Sequence, residues 1–300
     1  MKIVLTGSLG RIGKPLTQSL VKRGHSVIVI SSQSERQKDI EAIGAKAAIG
    51  SMKDLDFLTL TFKDADVVYL MISWDAIGNI FDNTIDFPAE FDQIANNYKQ
   101  AIEQVGIKKV VYLSSVGAHT SKGVGSLSVY NIVENSMNQL PNDVSIKFMR
   151  PVAFYTNIFR FMQSIKTDRE ILQSYGGEQK EPWVSPLDIA DVIVDEIELP
   201  FESRTVRYIA SDEVSPNEVA SILGEAIGIR ELKWSIVAPE KLLGDVVTSG
   251  MNDWIANGFI EMQAAQESGI LYEDFYKNKP LLGKVKMTDF ANEFALVYNQ

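Results

Sequence analysis

The first 115 residues alternate short apolar runs with stretches whose apolar positions recur at helical spacing. The strand-like runs are "KIVLT" (2–6), "SVIVI" (26–30), "KAAIG" (46–50), "DVVYLMI" (66–72) and "KVVYLSS" (109–115). Between them lie amphipathic stretches from Ile12 to Arg23, Glu35 to Ile43, Leu55 to Phe62 and Pro88 to Val105. In the last of these, Ile94, Tyr98, Ala101, Ile102 and Val105 share one helical face. Val- and Ile-rich strands with little polar alternation are buried on both faces, as in a parallel sheet covered by helices. The repeat of strand and helix predicts a doubly wound α/β unit with right-handed crossovers. "SIKFMR" (145–150) and "RTVRYIA" (204–210) extend the sheet, with "PLDIADVIVDEI" (186–197) as the helix between them.

The rest of the chain has a different texture. Residues 152–181 and 213–300 read mostly as aromatic-rich helices, among them "NIFRFMQSI", "PNEVASILGEAIG", "MNDWIANGFIEMQAAQ" and "TDFANEFALVY". The expected organisation is a sheet domain over 1–151 with 182–212, and a smaller, mainly helical C-terminal lobe over 152–181 with 213–300. Ligands of open α/β sheets bind at the carboxyl ends of the strands, so this lobe is placed to roof that edge.

The first strand runs into "TGSLGRIG". Gly7, Gly10 and Gly13 stand one residue away from the G-x-G-x-x-G spacing of dinucleotide-binding loops. The context is the one the mechanism needs, a strand before and a helix after. Gly7 permits the tight turn, Gly10 lets backbone approach a pyrophosphate, and Gly13 lets the helix pack closely, with its N-terminus facing the anion. Ser8, Leu9, Arg11 and Ile12 complete the loop. The expected fold is therefore of the Rossmann type and the expected ligand a nicotinamide dinucleotide, the alternative being a tight turn that binds nothing. An acid at the end of the second strand would hold the ribose hydroxyls of NAD. Here Ser31, Ser32 and Gln33 occupy that end, and Arg11, Arg36 and Lys38 are available to a 2′-phosphate. NADP is the expectation, with NAD as the alternative; Arg36 and Lys38 also read as a solvated helix face.

Composition narrows the chemistry. With no Cys and only His25 and His119 among 300 residues, disulfides, thiolate nucleophiles and a His-rich metal site drop out. A net charge of −10 without a basic patch argues against direct contact with nucleic acid or an anionic membrane. No signal-like or membrane-length apolar run is present, so a cytoplasmic location is expected.

Taken in order, "TGSLGRIG", "DADVVYLM", "KKVVYLSSVGAH", "FMRPVAFYTNI", "PWVSPLDIADVI" and "LLGKVKMTDF" resemble the landmarks of the NmrA-like family of atypical short-chain dehydrogenase/reductases. The resemblance runs over nearly the whole chain. It implies an NAD(P)-binding Rossmann domain, a small C-terminal lobe and a cleft between them. The family includes quinone, azo-dye and isoflavone-type reductases, and also regulators that bind the cofactor without turning it over. By position, Gly7 to Gly13 match its phosphate loop. Ile72 and Ser73 match the strand end lining the ribose and nicotinamide, and Ser114 and Ser115 the fifth-strand end. The segment Pro151 to Asn157 matches the part that folds over the nicotinamide. Ser32 stands where many relatives carry an Arg for NADP.

The short-chain dehydrogenase dyad Tyr-x-x-x-Lys is not intact. Its only candidate is "YNIVE", Tyr130 to Glu134, with Glu in place of the cation. A carboxylate beside the phenol would raise its pKa. Tyr130 reads either as a proton donor or as a packing residue. His119 is a candidate on a loop over the cleft. Phe154, Tyr155 and Trp183 form either an aromatic wall for a flat substrate or packing between the lobes. Asn157 is a helix cap or a ligand contact, Asp188 a first-turn acid of structural type, and Trp254, Phe259 and Met262 core residues. Two functions stay open: an NAD(P)H-dependent oxidoreductase of a small aromatic or carbonyl acceptor such as a quinone, or a non-catalytic redox sensor acting through a protein partner. An epimerase-like relative with tightly held cofactor is a third. The oligomeric state is not legible.

Overall fold

The computed structural model describes residues Met1–Gln300. The amino-terminal half runs β1 (Lys2–Leu5), α1 (Gly13–Lys22), β2 (Ser26–Ser31), α2 (Gln37–Ala42), β3 (Lys46–Ile49), α3 (Leu55–Phe62), β4 (Val67–Leu70), α4 (Trp74–Ile77), α5 (Phe87–Val105), β5 (Lys109–Leu113), α6 (Ser128–Met137) and β6 (Ser145–Pro151). The remainder runs β7 (Ala153–Phe154), α7 (Met162–Asp168), β8 (Glu170–Gln173), β9 (Glu181–Val184), α8 (Pro186–Glu198), β10 (Arg204–Ile209), β11 (Asp212–Val214), α9 (Pro216–Ile227), β12 (Lys233–Ile236), α10 (Pro239–Thr248), α11 (Asp253–Glu267), α12 (Glu273–Lys277) and α13 (Met287–Tyr298).

Seven strands form the main sheet in the order β3-β2-β1-β4-β5-β6-β10, and every neighbouring pair is parallel. This is the doubly wound sheet the sequence predicts. The central strand β4, VVYL, is buried at all four positions, which explains its lack of alternation. Helix ends carry their own signals. Asp54 and Asp86 cap α3 and α5 through the amides of Phe57 and Ala89. α5 stops at Gly106, whose φ of 75° a side chain would resist. No helix is long and apolar enough to cross a membrane.

The second part is mainly helical, as expected, and also carries short strands. β7, β9 and β11 make a small sheet, and β8 pairs with β12. Strands of two to four residues carry too little periodicity to be read from sequence. Tyr155, Ile158, Leu223, Trp234, Phe290 and Phe294 form the core of this part. The segment 253–277, expected with the smaller lobe, packs into the main sheet's own core through Ala265, Leu271, Tyr272 and Phe275. α11 lies almost backbone to backbone on the loop before α6: a Cβ on Gly258 would come within 2.7 Å of the Ser126 nitrogen.

Asp188, in the first turn of α8, acts as a clasp. Its carboxylate accepts hydrogen bonds from the Ser211 hydroxyl at 2.6 Å and from the amides of Lys284 and Val285 at 3.1 and 3.0 Å. It ties the segment leading into α13 to the first turn of α8 and to the end of β10, a structural role as expected.

Candidate active site

The strand order reverses between β1 and β4, and this is where an open α/β sheet offers a crevice. The loop after β1 is the glycine segment. Gly7 has φ +90° and Ser8 φ 54°, a sharp left-handed turn that brings the Ser8 hydroxyl to within 3.0 Å of the Ser31 hydroxyl at the end of β2. A Cβ on Gly13 would land on the Ser8 carbonyl oxygen, well inside van der Waals contact. The close approach that Gly13 permits is therefore to the loop itself. At Gly10 a Cβ would meet only the Gly7 carbonyl oxygen, at 3.6 Å. The amides of residues 9 to 12 donate to no acceptor within the protein. Free amides in a tight turn at a helix N-terminus form a cradle for phosphate oxygens. The residues present thus fit a dinucleotide.

The end of β4 is braced from beneath. The Thr6 hydroxyl accepts the Met71 amide at 2.8 Å, and the buried Tyr98 hydroxyl donates to the Met71 carbonyl at 2.8 Å. This sets the direction of Met71, Ile72 and Ser73 as they leave the sheet. Neither Thr6 nor Tyr98 is legible as a support from sequence, because the partners lie 65 and 27 residues away from Met71.

From this point a cleft of about 610 Å³ opens. Its floor is Arg11, Ile12, Ile72, Ser73, Ser114, Ser115 and Pro151, all from strand-end loops. Tyr130, Phe154, Asn157 and Trp183 line it as well. Trp74, Arg160, Tyr175, Met262, Gln266, Leu271 and Tyr272 are among the other residues of its wall. None of these seven was singled out as a site residue, and Met262 was expected in the core. Gly7 to Gly10, Ser31, Ser32 and Arg36 lie outside this enclosed volume, along the ends of β1 and β2. Arg36 there makes a loose ion pair with Asp39 at 3.6 Å, with both side chains in solvent.

Two expectations are corrected. Tyr155 does not face the cleft. It is fully buried, its hydroxyl donates to the Val285 carbonyl at 3.1 Å, and its ring stacks on Phe290 at 5.5 Å. The one-residue step from Phe154 to Tyr155, where strand gives way to a tight helical turn, sends the two rings to opposite sides. His119 does not line the cleft either. The turn at Gly117, φ +86°, packs against Leu271, and the imidazole is influenced by Asp274, Arg150, Glu273 and Lys277 instead. Burial pushes its pKa below the ordinary value, so it is neutral at pH 7.

Tyr130 is on the cleft wall, edge to face with Phe91 at 6.0 Å. Its pKa is raised, but by burial, with the Trp74 indole offsetting part of the effect. Glu134 is not the cause. Its carboxylate is held by Arg150 in a two-pronged pair at 2.9 and 2.7 Å and accepts the Ser114 hydroxyl at 2.5 Å. The residue standing in the place of the dyad's cation is thus a buried girder beneath the fifth-strand end. The cations among the lining residues are Arg11 and Arg160.

Behind the cleft wall lies a further buried acid, Glu181. The Gln266 amide and the Tyr272 hydroxyl donate to it at 3.0 and 3.2 Å. Burial lifts its pKa from 4.5 to about 7, opposed in part by those two hydrogen bonds. The folded chain therefore holds this proton more tightly than the unfolded chain. The stability this confers is complete below about pH 4.5 and is lost as the pH rises through about 7. Glu181→Gln is expected to remove that loss. The urea-unfolding free energy of wild type relative to the variant should fall by about 1–3 kcal/mol between acid and neutral pH. A difference that does not change with pH would show that Glu181 titrates in the folded chain as it does in the unfolded one.

The sequence pattern of the NAD(P)H-binding family matches residues 7–140, from the glycine turn through α6. The match places the family's nucleotide-binding pattern on the strands and loops that form the cradle. The resemblance to the NmrA-like, atypical short-chain dehydrogenase/reductase group is borne out. An NADPH-dependent quinone oxidoreductase from Escherichia coli, solved with NADPH, shares the fold over 97% of this chain and 99% of its own, with a TM-score of 0.80 at 16% identity. The Citrobacter triphenylmethane reductase, solved with NADP(H), aligns over 98% and 99% of the two chains with a TM-score of 0.73 at 18% identity. A Staphylococcus aureus nucleoside-diphosphate-sugar epimerase aligns over 97% and 100% with a TM-score of 0.77 at 16% identity. A curated relative, the photosystem II assembly factor Ycf39 of Synechocystis, is 19% identical over 204 residues. That match spans 68% of this chain but only 60% of the relative's length. The matched region carries the glycine loop and the β4 and β5 strand ends, and the cleft opens from its carboxyl edge.

Proposed function

We propose that this chain is an NADPH-dependent reductase of a flat aromatic or quinone-like acceptor. The observation that carries the reading is the cleft itself, which opens from the nucleotide edge of the sheet and is walled by Trp74, Tyr130, Phe154 and Trp183. A concave, mostly apolar site with a few polar groups, adjoining a nucleotide cradle, is a substrate site by default. Residues 1–151 with 182–212 hold the cofactor. Residues 152–181 with 213–300 supply most of the opposite wall.

The glycine loop from Gly7 to Gly13 takes the pyrophosphate. Ser31 and Ser32 at the end of β2 present hydroxyls and no carboxylate, so a 2′-phosphate meets no repulsion there. Arg11 is exposed and available to pair with it, and Arg36, also exposed, would exchange its loose ion pair with Asp39 for the phosphate. Ile72, Ser73, Ser114, Ser115 and Pro151 form the floor for the nicotinamide end. When bound, NADPH supplies the two electrons of the reduction. The apolar wall excludes water from the acceptor. Tyr130, kept protonated by burial, offers a hydrogen bond to an acceptor oxygen as negative charge develops there. No cation lowers its pKa, so it is a donor of a hydrogen bond rather than a strong acid.

A specific observation favours a second reading, a sensor that binds the nucleotide without turnover. Glu134 stands where the dyad's Lys is expected and is locked to Arg150. The two readings part in one experiment. NADPH and NADH are titrated calorimetrically, and loss of reduced-cofactor absorbance is then followed with neutral and acidic quinones. The expected result is tighter binding of NADPH than NADH, followed by quinone-dependent oxidation. In that assay Tyr130→Phe should lower kcat by no more than about tenfold, short of the 10²–10⁴-fold expected on losing a true general acid. Binding without turnover across the panel would leave the sensor.

A further inference from the structure

The cleft contains a cation that the cofactor reading does not use. Arg160 lies near the end of the tight helical turn Tyr155–Phe161 and lines the cleft. Its guanidinium sits over the ring of Phe161 at 4.7 Å and that of Phe259 at 5.1 Å. It makes no ion pair, and no oxygen of the protein accepts from its five N–H donors. Contrast Arg150, which spends its donors on Glu134, Tyr208 and Asp274. Arg160 is an exposed residue whose side chain is open to solvent and faces the cleft. Two aromatic faces cover part of it without supplying an acceptor.

The other charges nearby do not neutralise it. Tyr175 is the titratable group that bears on Arg160 electrically, and burial holds that phenol protonated at neutral pH. Asp75 lines the cleft from α4, but makes no ion pair with Arg160. Burial pushes the Arg160 pKa below its ordinary value, the mark of a charge short of a partner.

We propose that Arg160 is a specificity residue, and that the acceptor reduced here carries an anionic group, an aromatic carboxylate or sulfonate, which pairs with its guanidinium while the ring lies along the aromatic wall. A planar guanidinium matches a carboxylate or sulfonate edge with two parallel hydrogen bonds. Such a pair discriminates by charge. The same cation repels a cationic acceptor. The inference rests on the reductase reading for the word acceptor, but the anion site itself is testable without turnover.

The test measures ligand binding to the whole protein saturated with NADP⁺, so that nothing is consumed. The probes are anthraquinone-2-sulfonate, the neutral 2-methyl-1,4-naphthoquinone and the cationic dye crystal violet, read by quenching of tryptophan fluorescence from Trp74 and Trp183. The proteins are wild type, Arg160→Met and Arg160→Gln; the second keeps a polar head without the charge. Wild type is expected to bind the sulfonate best and crystal violet worst. Both variants should weaken the sulfonate by about 10- to 100-fold, change the neutral quinone by less than about threefold, and improve crystal violet. Equal weakening of sulfonate and neutral quinone would assign Arg160 a merely structural role and overturn the proposal, as would sulfonate binding indifferent to Arg160, or no sulfonate binding at all. NADPH turnover is scored separately. Arg160-dependent sulfonate binding with no turnover of any quinone supports the anion site and removes the reductase. Turnover of the neutral quinone without preference for the sulfonate does the reverse.

Discussion

Gly13→Ala is expected to weaken NADPH binding by about 100-fold or more and to destabilise the fold as well. The added methyl would fall on the Ser8 carbonyl oxygen, which is backbone and cannot rotate away. The loop must move by an appreciable fraction of an ångström, and a displacement near 1 Å in a positioned site costs on the order of 10²-fold. Forcing an extra carbon into a packed junction adds about 1–3 kcal/mol of strain. Gly10→Ala is the matched control. A Cβ there meets nothing closer than 3.6 Å, and Gly10 is not among the glycines with positive φ. Its apo stability should therefore equal wild type, and any loss of NADPH affinity then measures how closely the backbone approaches the bound pyrophosphate. Calorimetric titration and urea unfolding of the two variants check both halves. If Gly13→Ala binds NADPH like wild type, the loop is only a turn.

The second large effect concerns the buried ion cluster under the cleft floor. Arg150 projects from β6 and joins three elements. It pairs with Glu134 of α6, and its second nitrogen reaches both the Tyr208 hydroxyl of β10 and the Asp274 carboxylate of α12, each at 3.1 Å. Burial opposes its charge, yet the hydrogen bonds and attraction from Glu134 outweigh burial and hold the guanidinium above its ordinary pKa. Arg150→Met strands the Glu134 carboxylate in the interior. The expected loss is about 3–5 kcal/mol, the cost of leaving a buried charge unpaired. The double variant Arg150→Met with Glu134→Leu should recover much of that loss, because it removes both charges together. Urea unfolding of the four proteins in the cycle decides it. Additive losses would mean that the pair is uncoupled and that the cluster does not hold α12 to the sheet.

Much of the sheet was legible because burial on both faces leaves a composition signal that needs no knowledge of neighbours. The runs at 26–30, 109–115 and 145–150 became β2, β5 and β6 with ends shifted by two residues or fewer. The glycine loop was legible because strand, turn and helix are consecutive. The cleft was legible only where its residues follow strands, as with Ile72, Ser114 and Pro151. Its other wall was not. Met262 repeats at the spacing of an ordinary core helix, and Tyr272 reads as another buried aromatic. Tyr155 and Phe154 are adjacent and chemically alike, and only the backbone's change of direction separates a core ring from a cleft ring. The Glu in "YNIVE" was visible as a missing cation, but its partner Arg150 is 16 residues away, on β6 rather than on its own helix.

The sequence by itself determined the parallel doubly wound sheet, the phosphate-binding turn, the lack of an acid at the end of β2 and the lack of a Tyr/Lys dyad, since each is a matter of local pattern or of which residue type is present. Tertiary structure alone decided which aromatics face the cleft, that 253–277 closes it, that Glu134 is a structural anion, and that Arg160 stands unpaired on its wall. Those outcomes depend on distances between segments far apart in the chain. Side-chain direction and the pairing of charges are set by packing, and no short-range periodicity encodes them.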